Sequence, residues 1–389
     1  MLSLFIAAVF VQGRVLIQPQ KLPKPGTTTS KISIPKVIPR PAGSGLSLPK
    51  GFRANVFARG LRSPRWLLVA PNGDVLCVEC YQGRVQLLRD SDGDGVAEEK
   101  HTFASGLKLP FGLALHDGYL YVANTGSVVR FPYRDGQTKA EVRPEVVVPE
   151  IPSRGYNQHW TRNLILSPDG KTMYVTVGSE TNHDVERPPR ASILAFKSDG
   201  SGMRTYADGL RNPVGLAFRP GTDELWATCV ERDFMGDDLV PDFITRVEEG
   251  DFFGWPWYYI GRHRDPHLKG KLAPAKPVKV PDVLTVAHSV PLGLLFYTGK
   301  QFPAEYRGDL FVALRGSTNR RLRSGYEVIR IRFRDGKLVP GYETFIGGWI
   351  TDRRKKEVYG RPVGLAQLPD GSLLVADEGA HLVWRITYH

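Results

Sequence analysis

The run Asp90-Ser-Asp92-Gly-Asp94-Gly95-Val96-Ala-Glu98 places acidic oxygens at positions one, three, five and nine, with a glycine at six. A loop wrapped around a hard cation needs this alternation. Every second side chain converges, Gly95 permits the sharp turn, and Val96 adds its carbonyl at position seven. The full EF-hand pattern carries Glu at position twelve, where this chain has His101, so the spacing predicts a shorter calcium loop with a structural role. An acidic surface turn without an ion is the alternative. The three cysteines, Cys77, Cys80 and Cys229, are too few for a disulfide framework. Cys77-Val-Glu-Cys80 lies in a strand-like run, where alternation puts Cys77 on one face and Val78 and Cys80 on the other, so neither a zinc pair nor a redox motif is expected. No histidine follows a Cys-x-x-Cys, which excludes a c-type haem attachment; a chain of this kind that transferred electrons would need a separate acceptor.

These residues hang on a repeat. Gly-Leu-x-x-Pro, an apolar strand, a Gly/Asp turn and a second apolar strand recur from Gly60 (GLRSPRWLLVAPNGDVLCVE), Gly106, Gly209, His288 and Arg361. A further copy from His159 (HWTRNLILSPDGKTMYVTVG) replaces the entrance signature. Each unit continues into a third strand, such as GRVQLLRD or YEVIRIRF. Short strands separated by Asn-Gly, Asp-Gly and Pro-Gly turns form antiparallel hairpins. Six such units predict an all-β fold, a six-bladed β-propeller with four-stranded antiparallel blades over residues 50–389. GFRANVFARG, before the first unit, supplies a strand to complete the last blade and close the ring, removing exposed sheet edges. The chemistry should lie where the pattern is broken or elaborated, because propellers bind ligands at the mouth of the central channel.

Of the formal charge of +12, +7 sits in residues 1–50, which contain no acid. The remainder is spread thinly over a large domain, which argues against nucleic acid as the partner. Met1 to Gln12 is apolar, too short to span a bilayer as a helix but suited to the core of a secretory signal, so residues 1–17 are expected to be a signal segment and the location periplasmic or secreted. It lacks the basic residues that should precede such a core; a start site assigned too far downstream or a buried N-terminal strand would explain that. Residues 18–49, rich in proline, are expected to be a solvated extended linker.

Three stretches carry a resemblance: His159-Trp-Thr-Arg-Asn-Leu, Gly209-Leu-Arg-Asn-Pro-Val-Gly-Leu and Glu249-Gly-Asp-Phe-Phe-Gly-Trp-Pro256. With His288-Ser-Val-Pro-Leu-Gly, Gly308-Asp-Leu-Phe-Val-Ala-Leu-Arg-Gly-Ser and Arg361-Pro-Val-Gly following in order, the chain resembles the glucose/sorbosone dehydrogenases from about residue 50 onward. These are six-bladed propellers that use pyrroloquinoline quinone (PQQ) and calcium. The resemblance implies oxidation of an aldose or sugar aldehyde, with electrons passing to a separate acceptor such as a cytochrome or quinone. It makes His159 the base, a role that suits imidazole near neutral pH. Arg211 and Asn212 match the pair that contacts the quinone, with Arg211 able to stabilise charge developing on oxygen. Arg162, Glu231, Arg315 and Arg361 join the cofactor ligands by the same resemblance, and guanidinium groups suit the cofactor's carboxylates. The carbonyls of Arg232 and Asp233 fall where the family holds its calcium, but Glu231-Arg232-Asp233 replaces a common Gln-Gly-Pro, and Val214 stands where some members carry a polar residue. His288 is either a second polar channel residue or a packed loop histidine. A calcium-dependent lactonase built on Glu231, Asp233 and Glu378 is one alternative, and a non-catalytic binding module is another.

Overall fold

Each repeat folds in the computed structural model into an antiparallel four-stranded sheet, and six such sheets stand among the described residues, 8–11, 13–153 and 159–389. Blade 1 runs Pro64–Val69, Val75–Glu79, Arg84–Arg89 and Glu99–Ala104. Blades 2 and 3 follow in the same up-and-down order over residues 113–148 and 164–208. Blade 4 takes its fourth strand, Val283–Leu284, after a long insertion, and blade 5 spans residues 291–346. In blade 6 the strand Leu382–Tyr388 pairs with Phe52–Ala58 from the far end of the chain, with Tyr388 opposite Phe52. The ring is closed as the sequence predicts.

The second strand of a blade lies between neighbouring sheets and is buried on both faces. Val75–Glu79, Leu225–Cys229, Leu310–Leu314 and Leu373–Asp377 are buried throughout. These strands therefore read as apolar runs without polar alternation. Cys77 and Cys80 are free, buried and divided between two hydrophobic clusters, so they act as small apolar residues.

The repeated Pro-x-Gly-Leu at the start of the innermost strand has a packing reason. In blades 4, 5 and 6 the register slips there, between Pro213 and Leu216, Pro291 and Leu294, and Pro362 and Leu365, and it slips likewise in blade 1 between Pro64 and Leu67, where Trp66 replaces the glycine. At the glycine the next blade comes into backbone contact. A β-carbon on Gly215 would run into Leu292 O, on Gly293 into Val363 O, and on Gly364 into Arg65 O. Glycine lets the inner strands close on the axis.

Residues 13–17 of the expected signal segment and residues 18–49, expected as a solvated linker, lie along the ring. Arg14–Ile17 pairs with Ala8–Val11, and Val15 and Tyr342 exchange backbone hydrogen bonds of 2.7 and 3.0 Å. Farther on, Ser30 Oγ and Thr28 Oγ1 accept from Gly236 N and Asp237 N, Ser33 N donates to Thr318 O, and Lys36–Val37 pairs with Glu357–Val358. The buried Arg323 grips Ser33 O at 2.9 Å. A proline-rich chain cannot supply every backbone donor to a sheet, but it can be pinned by its carbonyls and hydroxyls. Residues 1–7 and 12 of the expected signal segment lie outside the described residues.

Gly293→Ala is expected to destabilise the protein by about 1–3 kcal/mol, the usual cost of overpacking. Gly45→Ala, whose added methyl meets nothing within 4 Å, is expected to leave stability unchanged. Denaturant midpoints of the two variants beside the wild type check both.

Candidate active site at the channel mouth

The bulged strand entrances aim side chains from several blades at one cavity of about 220 Å³. Its walls include Arg65 from blade 1, His159 and Trp160 from blade 3, Arg211, Asn212 and Glu231 from blade 4, and His288 and Arg315 from blade 5.

His159 is buried, and its Nδ1 lies 2.8 Å from Ser179 O and 3.0 Å from Ser179 Oγ. A carbonyl only accepts, so Nδ1 carries the proton and Nε2 keeps the lone pair. Burial, with the Arg211 charge adding to it, holds the imidazole well below its ordinary value, so the ring is neutral at pH 7. Among the described residues nothing bonds to Nε2. It is an available proton acceptor.

Arg211, 1% exposed, is spanned on every side. Nη1 donates to Glu231 O at 2.7 Å, Nη2 to Asn182 Oδ1 at 2.9 Å and to Asp233 Oδ2 at 3.3 Å, and Nε to Asn182 O at 3.3 Å. Asp233 also faces His288 Nδ1 at 3.4 Å and accepts from Asn319. Burial works against its ionisation, but His288 and Arg211 hold it well below the usual carboxylate range. On the other wall, Arg315 forks onto Glu378 at 2.6 and 3.0 Å, and Arg65 meets the same carboxylate at 3.0 Å while its guanidinium lies over Trp160.

Asp242, fully buried, ties the two walls together. It accepts Glu231 N and Val290 N, each at 2.8 Å. His288 and Val290 have φ of 66° and 60°, a conformation costly for a β-branched residue, and the carboxylate holds that strained turn against the cavity.

The expected base His159 and the expected cofactor residues Arg211, Asn212, Glu231 and Arg315 are brought together here, and Arg162 and Arg361 do not line the cavity. Arg162 turns back into the backbone and donates to His159 O, Thr161 O and Pro152 O at 2.7–2.8 Å. Arg361 donates to Gly316 O at 2.8 Å and braces the loop that follows Arg315. Both guanidinium groups are taken up by backbone carbonyls. Arg232 points away to Asp265 at 2.7 Å, and its carbonyl accepts Val240 N. Asp233 lines the cavity, but its carbonyl takes Asn182 Nδ2 at 3.0 Å.

Asp90, Asp92, Asp94 and Glu98 converge, with ligand oxygens within 4.8 Å of one another, while Val96 donates its N–H to Asp94; none of these residues reaches the central cavity. The lactonase trio is not assembled. Glu231, Asp233 and Glu378 form no metal-ligand group among the described residues. Sequence reasoning missed Arg65 and Asp242. Arg65 had a visible signal: it occupies the repeat position filled by Phe111, Val214, Leu292 and Val363. Asp242 had none.

A family model described as TrAA12-like matches residues 46–240 and 273–388. The chain belongs to that family. Among relatives of the TrAA12-like chain, an uncharacterized protein of Borreliella burgdorferi is 26% identical, covering 93% of this chain and 96% of the relative. The pyrroloquinoline quinone-dependent pyranose dehydrogenase of Coprinopsis cinerea is 24% identical over 85% of this chain, which spans about half (52%) of that enzyme. The calcium structure of the Trichoderma reesei family AA12 enzyme superposes with a TM-score of 0.77 at 18% identity, over 93% of this chain and all (100%) of that one, and so shares its fold. The TrAA12-like match leaves out residues 241–272, which include the part of the blade 4 insertion that carries His263 and His267.

Burial pushes the Glu231 carboxyl up to about 7 from an ordinary 4.5, and that of Asp242 up to about 6. A raised acid stabilises the fold when protonated, so its contribution is present below its unfolded value and is lost as pH rises through the folded one. The ligand-free protein should therefore lose stability between about pH 4 and 7. Glu231→Gln should flatten the fall above about pH 4.5 and be the more stable protein at pH 8 by roughly 1–3 kcal/mol. Denaturant melts across this range check the slope.

Proposed function

We propose that this protein is a PQQ-dependent dehydrogenase that oxidises an aldose or a related sugar at a carbon bearing a hydroxyl. The observation that carries the reading is the neutral, Nδ1-protonated His159, whose free Nε2 stands in a cavity walled by Arg65, Arg211 and Arg315. The donor set suits a flat polycarboxylate. Arg65 Nε is a buried donor with no hydrogen-bond partner among the described residues, and Trp160 and Tyr81 add aromatic rings with centroids 5.5 Å apart. Arg65, Arg315 and Asn212 would hold the cofactor. When bound, PQQ supplies an ortho-quinone that accepts a hydride from the carbinol carbon.

His159 Nε2 takes the hydroxyl proton as that carbon is oxidised, and Ser179 O keeps the ring in the tautomer that can do so. Arg211, fixed by Asn182, Asp233 and the Glu231 carbonyl, keeps a positive charge beside the reacting oxygens without having to reorganise. Asp233, shared between Arg211 and His288, holds the guanidinium in place at the cavity wall. The Asp90–Glu98 loop would hold a structural calcium. Electrons leave to a separate cytochrome or quinone. A periplasmic or secreted location goes with this reading, supported by the apolar run Met1–Gln12; no helix among the described residues is long and apolar enough to cross a membrane.

Purified protein supplied with PQQ and calcium should reduce an artificial dye with aldoses. His159→Gln should bind PQQ normally while losing about 10²–10⁴ in kcat. Absence of both PQQ binding and turnover in the wild type overturns the reading. Because His159 is neutral well below its ordinary 6.5, kcat/KM should show no drop through pH 6–7. Chelation of calcium should lower the melting temperature of the wild type, and Asp92→Asn with Asp94→Asn should remove that response.

A further inference from the structure

A second cluster of metal-ligand side chains lies beside this cavity without lining it. His183 and Asp184 sit in the loop between the blade 3 strands Thr172–Val177 and Ser192–Lys197. His267 comes from the blade 4 insertion, in the short helix Pro266–Leu268, where Asp265 Oδ1 accepts His267 N at 2.8 Å and sets the backbone. The two imidazoles face each other with ring centroids 3.7 Å apart.

Asp184 Oδ1 stands 3.4 Å from His267 Nε2 and 3.6 Å from His183 Nδ1. The longer separation is no hydrogen bond. His183 Nδ1 is buried and has no partner among the described residues. One ligand atom from each of the three side chains lies within 4.8 Å of the others. Tetrahedral bonds of about 2.0–2.1 Å to a central ion place neighbouring ligand atoms roughly 3.4 Å apart, close to the separations that Asp184 shows. Two imidazoles and one carboxylate are a donor set for a borderline transition metal, whereas calcium takes oxygen.

We infer that His183, Asp184 and His267 bind a divalent transition-metal ion of the zinc class, with a water completing the coordination. The ion joins the blade 3 loop to the blade 4 insertion. Asn182, next to His183, is the residue that holds both Arg211 and Asp233, so the ion fixes the loop that orients the cavity's arginine. The site is separate in ligands and in metal class from the acidic loop at residues 90–98.

The test uses the full chain without PQQ. Zn²⁺ titrated into protein carrying Asp92→Asn and Asp94→Asn should bind at one equivalent, and His267→Ala or His183→Ala should each weaken binding at least tenfold. Co²⁺ in the wild-type protein should give visible d–d bands of a four-coordinate nitrogen and oxygen site, which Zn²⁺ abolishes. Zinc binding unchanged in both histidine variants, or Co²⁺ with only the spectrum of the hydrated ion, overturns the inference. The Co²⁺ spectrum decides the matter even if a variant fails to fold, and neither readout depends on dehydrogenase activity.

Discussion

The close approach of the innermost strands at Gly215, Gly293 and Gly364 is the constraint on which the rest of this molecule depends. It draws the blades onto one axis and, through the slip in register beside each glycine, turns the preceding residue toward the channel. Where that residue is Val214 or Leu292 the channel is apolar; in blade 1, where the register slips in the same way but Trp66 replaces the glycine, Arg65 carries a charge into a buried place. An unpaired ion in such a setting costs several kcal/mol, so every charge brought to the axis must find an opposite one. Glu378 stands between Arg65 and Arg315, and Asp233 stands between Arg211 and His288.

This pairing also prepares the chemistry. The carboxylates fix the guanidinium groups in advance, so a polar transition state meets charges that need not reorient. Asp242 adds a mechanical role: one carboxylate bonded to Glu231 N and Val290 N holds a turn that would relax if unsupported. His159 is the exception in the set, since no acid among the described residues partners it. Its ring is neutralised by burial and by Arg211, the state that a proton acceptor requires.

The N-terminal strap and the blade insertions lie on the side of the ring that carries the site. The strap reaches Gly236 and Asp237, a few residues beyond Asp233, and Thr318, beside Asn319. The loop holding Asn182 reaches Arg211 from the neighbouring blade. The elaborated blades three to five, interrupted in sequence, thus supply most of the polar groups at the cavity, and the compact blades one, two and six supply mainly the frame, with Arg65 and Tyr81 at the cavity and Glu378 pairing with Arg65 and Arg315.

The repeat, the closing strand and the break in pattern at His159 were all legible in the sequence, because turn residues and strand periodicity are local and each copy announces the next. His159, Arg211, Asn212 and Arg315 could be picked out because each stands in or beside such a copy, and the convergence of Asp90, Asp92, Asp94 and Glu98 because a cation loop is written in consecutive residues. The partners of those side chains were decided by tertiary structure. Arg162 and Arg361 have the same chemistry as Arg211 and Arg65, but they meet backbone carbonyls before they meet the channel. Asp242, the docking of residues 13–49 and the meeting of His183 with His267 join segments tens to hundreds of residues apart, and no local spacing encodes such contacts. Sequence alone determined which side chains could act; the packing of six blades around one axis decided which of them face the same space.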